Sequence, residues 1–168
     1  MIYTATADGL QDLGERKVRC ALGPAGVIPA ALKREGDGAS PAGVWPIREV
    51  LYRPDRGPPP ASEFRVRAMT PDDGWCDDPA DEAYNRPVKL PYPASAENLW
   101  REDGMYDIVV ILGHNDDPVV PGRGSAIFLH IARPDYSPTQ GCVAIARPDL
   151  EELLDRVQPG DAIGIAGA

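Results

Sequence analysis

The 168-residue chain predicts a mainly β fold with one or two short helices. Three observations carry this. Its 17 glycines and 19 prolines break the chain too often for a helical bundle. Most apolar stretches alternate with a period of two, or run apolar on both faces for the length of a strand. Only one stretch, residues 150–157, repeats at helical spacing. The length fits a single domain spanning residues 1–168, with enough chain to bury a core.

Taken in order, residues 1–8 and 16–23 read as two strands joined through residues 9–14 into a hairpin. Val18, Cys20 and Leu22 share one face, and Arg19 and Ala21 the other. Residues 36–43 are turn chemistry. An extended pattern follows over 44–52, where Pro46 marks a sheet edge or a strand start. Residues 53–60, rich in Pro and Gly, form a surface loop, and 64–68 alternate as a short half-buried strand. Residues 72–93 are rich in Asp and Pro, with Trp75, Tyr84, Asn85 and Arg86 embedded. A connection this long suits a wall or lid over a site, or a solvated acidic loop pinned by Trp75.

Ser95, Glu97 and Asn98 predict a short helix through Trp100. Residues 106–112, YDIVVIL, are apolar on both faces and predict a central strand covered on both sides. A connection over 113–124 leads to a strand over 126–130, a proline-broken loop, and a further strand over 143–145. Leu150, Leu153, Leu154 and Val157, with Pro148 near the first turn, predict a helix. Gln158-Pro159-Gly160-Asp161 ends it, and residues 162–166 form a last strand. The count is seven or eight strands.

The chemistry concentrates in SAIFLHIARPDYSPTQGCVAI, residues 125–145. By period two, Ala126, Phe128 and His130 share one face of the first strand, and Cys142 and Ala144 one face of the second. If the strands are neighbours, imidazole and thiol meet. A histidine that takes the thiol proton is the usual way to make cysteine a nucleophile. Gly141 leaves the approach to the sulfur open, and backbone N–H groups of this turn, that of Cys142 included, are oxyanion-hole candidates. The other histidine, His114, sits in a turn-like HNDDP segment, so His130 is the expected base. His114, His130, Cys142 and Asp116 or Asp117 are acceptable zinc ligands by type, but their spacing fits no compact zinc motif. Neither a metal nor a cofactor is expected. A buried cysteine is equally a common core residue, so a passive thiol stands as the alternative.

The order His130, then Thr139-Gln140-Gly141-Cys142-Val143, resembles the active-site signature of the YkuD-type L,D-transpeptidases. Upstream, Lys33, Gly36 and Ser40-Pro41-Ala42-Gly43-Val44-Trp45-Pro46-Ile47 resemble that family's Thr-Pro-x-Gly-x-Phe-x-Ile segment. The layout of the whole chain is similar to the ErfK/YbiS/YcfS/YnhG-like branch. The resemblance implies a β-sandwich and a cysteine acyltransferase working on peptidoglycan stem peptides, as donor and as acceptor, in cell wall biogenesis. It also implies that the Ile131 carbonyl orients His130, that Thr139 has a supporting role, and that carbapenems are covalent inhibitors. The chain departs from the family pattern at Gln140 and Ala144, where many members carry His or Arg and Arg, and in its shorter His–Cys gap. Those positions bear on substrate contacts. Gln140, Thr139 and Arg133 are therefore the substrate-binding candidates of the loop, and Trp75 that of the 72–93 segment. Hydrolysis of the same intermediate, as a carboxypeptidase or endopeptidase, and a non-catalytic wall-binding module are the alternatives.

A formal net charge of −9 argues against nucleic acid or an anionic membrane as partner. Cys20, Cys76 and Cys142 show no C-x-x-C spacing, and an odd number leaves at least one thiol free. Cys20, alternating with Val18 and Leu22, reads as a core thiol. MIYTATADGL lacks the charge and apolar run of a signal peptide, and no stretch is long and apolar enough for membrane insertion. A periplasmic or cell-envelope location is thus implied by the resemblance alone. A monomer is expected.

Overall fold

A computed structural model describes residues 1–167. It is mainly β, with one α-helix. The amino-terminal strands are β1 (Ile2–Thr6), β2 (Leu10–Asp12) and β3 (Lys17–Ala21). The expected hairpin is therefore a three-stranded meander, because Leu10–Asp12 pairs with both β1 and β3. After β4 (Val27–Pro29) and a 3₁₀ turn at Ala30–Leu32 comes β5, a 13-residue strand over Ser40–Tyr52. Then follow β6 (Val66–Ala68), β7 (Asp73–Cys76), β8 (Pro87–Lys89), β9 (Ala96–Asn98) and β10 (Ile108–Leu112). The chain closes with β11 (Phe128–Ile131), β12 (Val143–Ile145), helix α1 (Arg147–Arg156) and β13 (Ala162–Ala166).

Hydrogen bonding runs β10-β11-β12-β3-β2-β1-β13-β5, and a β5–β10 pairing closes the circuit. Two strands serve both faces of this sandwich-like body. β3 pairs with β2 and with β12. β5 pairs with β13 over Gly43 to Pro46 and with β10 from Ile47 onward. Pro46 thus occupies a hand-over between partners rather than an edge: its missing N–H falls where one ladder ends and the other begins. Enclosed between the faces is the main core, with Val50, Ile108, Val110, Leu129, Val143, Ile145 and Ile163. Leu150, Leu153, Leu154 and Val157 press the apolar side of α1 into it.

A second, smaller core lies on the opposite face of β10 and β11. Val109 and Ile111 point there while Ile108, Val110 and Leu112 point to the main core, so β10 is covered on both sides as its sequence predicts. The cover is a separate three-stranded sheet in the order β8-β7-β9. Residues 72–93 are therefore not a structureless lid. The helix expected from Ser95 to Trp100 is also corrected, because Ala96–Asn98 pairs with β7 as β9. Six residues make too short a helix to compete with a ladder. Asn98 Oδ1 does accept a backbone N–H, that of Trp100 at 2.9 Å, but at a strand end.

Candidate active site

The strands carrying His130 and Cys142 are neighbours. β11 and β12 pair in parallel, with Leu129 opposite Val143 and His130 opposite Ala144. Cys142 directly precedes β12, so it sits diagonally from His130 on the same face, the one turned to the second core. Both line a single cleft of about 580 Å³. Arg133, Thr139 and Gln140 line it too, on the loop between the two strands. That loop is tied down by Ala132 N–H to Ile145 O (2.7 Å) and Thr139 N–H to Leu22 O (3.0 Å).

The thiol has a defined seat. Cys142 Sγ donates to the Ala126 carbonyl at 3.2 Å and accepts the Phe128 N–H at 3.4 Å. Ala126 is not strand, contrary to the sequence reading: it has φ +53. This left-handed conformation is costly for a residue with a Cβ and persists only where the surroundings impose it. Asn85 imposes it. Its Oδ1 accepts Ala126 N–H and Trp75 Nε1–H, each at 3.0 Å, while its Nδ2 donates to the His114 (3.1 Å) and Asn115 (2.8 Å) carbonyls. Before the sulfur, Gly141 has φ +121, and a Cβ there would stand 2.7 Å from the Ala39 carbonyl oxygen, so only glycine fits. Thr139 Oγ1 donates to the Cys142 carbonyl (2.7 Å) and accepts Gly141 N–H (3.1 Å), bracing the turn on both sides.

His130 is buried, and its Nδ1 lies 3.0 Å from the Ile131 carbonyl oxygen. A carbonyl only accepts, so Nδ1 carries the proton and Nε2 is the basic nitrogen. Tyr106 stands edge-on to the imidazole, ring centroids 5.2 Å apart. Burial pushes the Cys142 thiol up to about 12; the nearby Glu97 carboxyl adds to this, and Phe128 N–H, Lys33 and Arg101 oppose it. Burial likewise holds His130 down at about 4, against the Ile131 bond, which acts the other way. The pair is therefore neutral thiol and neutral imidazole, not the thiolate that a nearby histidine alone suggests.

Other readings resolve by position. His114 does not line the cleft; it is buried edge-on to Trp45 with ring centroids 4.8 Å apart. Trp75 is also outside the cleft, buried at 5.1 Å from the Phe128 ring and bonded to Asn85, so as a substrate contact it is misplaced. Its place is support beneath β11. All three cysteines are free and buried. Among the described residues no group of three or more His, Cys, Asp and Glu side chains is arranged to hold a metal ion. No helix among them is long and apolar enough to cross a membrane. Sequence reasoning gave no site role to Glu35, Asp77, Glu97, Arg101 and Tyr106, which line the cleft together with Lys33 of the upstream motif.

Fold and cleft define a mainly β protein that presents a thiol and an imidazole from adjacent parallel strands to one polar cavity. Residues 4–165 match the family model described as the L,D-transpeptidase catalytic domain, YkuD. The chain belongs to this family, whose members act on peptidoglycan. No curated protein and no solved structure matched the chain in the same comparisons.

Proposed function

We propose that the protein is a cysteine-dependent L,D-transpeptidase of the cell envelope, of the ErfK/YbiS/YcfS/YnhG-like kind, acting through a thioester on Cys142. The observation that carries this is the shared cleft: nucleophile and base candidates on neighbouring strands, the imidazole tautomer set by Ile131, and a cavity large enough for a peptide end.

Because thiol and imidazole rest neutral, the proton leaves Sγ for His130 Nε2 as the S–C bond to the donor carbonyl forms. Gly141 N–H is already engaged by Thr139, which leaves the Cys142 N–H to stabilise the developing oxyanion. The scissile C–N bond then breaks, and His130 returns its proton to the departing D-amino acid. An acceptor amine attacks the thioester and gives a proton to His130. The C–S bond breaks, and the sulfur recovers that proton as a thiol. Arg133, exposed at the rim, binds a substrate carboxylate in this reading, with Thr139 and Gln140 beside it in the cleft lining.

Incubation with purified disaccharide-tetrapeptide, followed by mass spectrometry, tests the reading. Cross-linked dimers with loss of the terminal residue are expected, together with a carbapenem adduct on Cys142. Cys142→Ala is expected to abolish both while remaining folded. Shortened monomers alone, even with excess amine, would make the protein a carboxypeptidase. Activity retained without the thiol would refute the mechanism.

A further inference from the structure

Three carboxyl side chains line the cleft, Glu35, Asp77 and Glu97, beside three basic ones, Lys33, Arg101 and Arg133, and Glu97 is held in an unusual way. Glu97 projects from β9 into the cleft, where its carboxyl accepts the Tyr106 hydroxyl. Tyr106 in turn rests edge-on against His130. Asp77 and Glu35 line the same cavity, and Asp77 Oδ1 is enclosed without any hydrogen-bond partner. Of the three cations that line the cavity, Arg101 grips Asp103 through Nε and Nη2 and Lys33 is paired with Asp37, while Arg133 lies on the loop at the rim. Glu97 is thus a carboxyl held by a hydroxyl rather than by a cation, and burial pushes it up from the ordinary carboxylate range. When ionised it opposes formation of a thiolate, and it is the largest charged contribution holding the Cys142 thiol up. It does nothing to help the first half-reaction and is complementary to a cation.

The geometry points to Glu97 as the group that receives the ammonium of the acyl acceptor and sets it beside the thioester, making the second half-reaction selective for cationic amines. This rests on the thioester mechanism proposed above. The acceptor docks as R–NH₃⁺ against the Glu97 carboxylate, releases one proton to solvent through the open cleft and attacks as R–NH₂; the second proton passes from the attacking nitrogen to His130 Nε2 and on to the sulfur as the C–S bond breaks. Tyr106 fixes the carboxyl, so it meets the incoming cation without having to be ordered first. Asp77, with its unpartnered oxygen, supplies a second acceptor on the same wall.

Glu97→Gln is isosteric and keeps an oxygen for the Tyr106 hydroxyl, so the wall remains intact. Wild type and E97Q would be acylated on Cys142 with the same donor, and partitioning of the thioester measured with a cationic D-amino acid or with hydroxylamine, which is uncharged at neutral pH. Thioester formation in E97Q is expected to be unchanged or faster. Transfer to the cationic acceptor falls about tenfold or more, the loss of one charge-assisted contact. Transfer to hydroxylamine stays level, and hydrolysis rises in proportion. Equal loss with both acceptors, or no loss with either, would overturn the assignment of Glu97 while leaving the thioester mechanism in place. If Cys142 is not acylated in either protein, the transpeptidase reading itself fails.

Discussion

Replacing Asn85 with alanine removes the side chain that ties Trp75 of the second core to Ala126, at the seat of the thiol. Four hydrogen bonds disappear, to Ala126 N–H, Trp75 Nε1–H and the carbonyls of His114 and Asn115, in a residue that is 4% exposed. At about 1 kcal/mol net for each bond, and with water re-entering part of the space, the loss is roughly 3–4 kcal/mol. Asn85 also has φ +56, a conformation that costs alanine about 1 kcal/mol more than asparagine. A chain of this length unfolds with an entropy near 0.35 kcal/mol/K, so the thermal midpoint should drop by about 11–14 °C. Ala126 is then free to leave its left-handed conformation, and its carbonyl no longer holds Sγ. Carbapenem acylation should therefore slow by more than the stability loss explains at a temperature where the variant is fully folded. Calorimetry and adduct formation followed by mass spectrometry measure the two effects. Asn85→Asp keeps both acceptor contacts but turns a carboxylate toward two carbonyls, and should fare no better than alanine. A midpoint within about 3 °C of wild type, with acylation intact, would refute the claim that Asn85 imposes the geometry at Ala126.

Three further outcomes follow from the site. A thiol held near 12 is ionised in roughly one molecule in ten thousand at pH 8, so iodoacetamide should label Cys142 over a hundredfold more slowly than a small free thiol, and ever faster into the alkaline range; a plateau below pH 8 would contradict the neutral resting pair. His130→Ala should lower acylation by about 10²–10⁴-fold, the usual worth of a general base, whereas His114→Ala should leave it near wild type; the reverse pattern would assign the base to the other histidine. Both histidines have folded values near 4, below the ordinary 6.5, so between those limits the unfolded chain binds more protons than the folded one. Stability is then unaffected above about pH 6.5 and lost as pH falls toward 4, by up to about 3 kcal/mol per histidine, and the decline in thermal midpoint should be shallower in His114→Gln.

What the sequence could announce was whatever is written locally. The double-faced run of β10, the period of α1 and the strand–loop–strand carrying His130 and Cys142 are all patterns within a few residues, and all are present in the fold. The small sheet was hidden because its strands are three or four residues long, too short for a period to show; only their mutual pairing makes them strands. Pro46 misled for a related reason, since a rule about edges assumes one partner along a strand and β5 changes partners at that point. In the site, the nucleophile and base candidates were legible from motif and spacing. Asn85, Glu97, Tyr106 and Arg101 were not, because they come together from separate strands and loops, Asn85 behind the seat of the thiol and the other three in the cleft. Nor could the neutral state of the pair be read in advance, as it follows from burial, which no local pattern records.

The closed circuit of strands also governs how the chain is made. β1 and β13 lie side by side in parallel, Ile2 opposite Ala162 and Thr6 opposite Ala166, although almost the whole chain separates them. While a ribosome is still extending the polypeptide through Cys142, β13 does not yet exist, and the edges of β1 and β5 stand open. Contacts of such sequence separation form late and slowly. A nascent molecule therefore carries unsatisfied strand edges until synthesis has passed residue 166, and during that interval it is both a substrate for chaperones and a template for mispairing with its neighbours. Translocation across a membrane in an unfolded state, where a route requires it, has that same interval in which to begin.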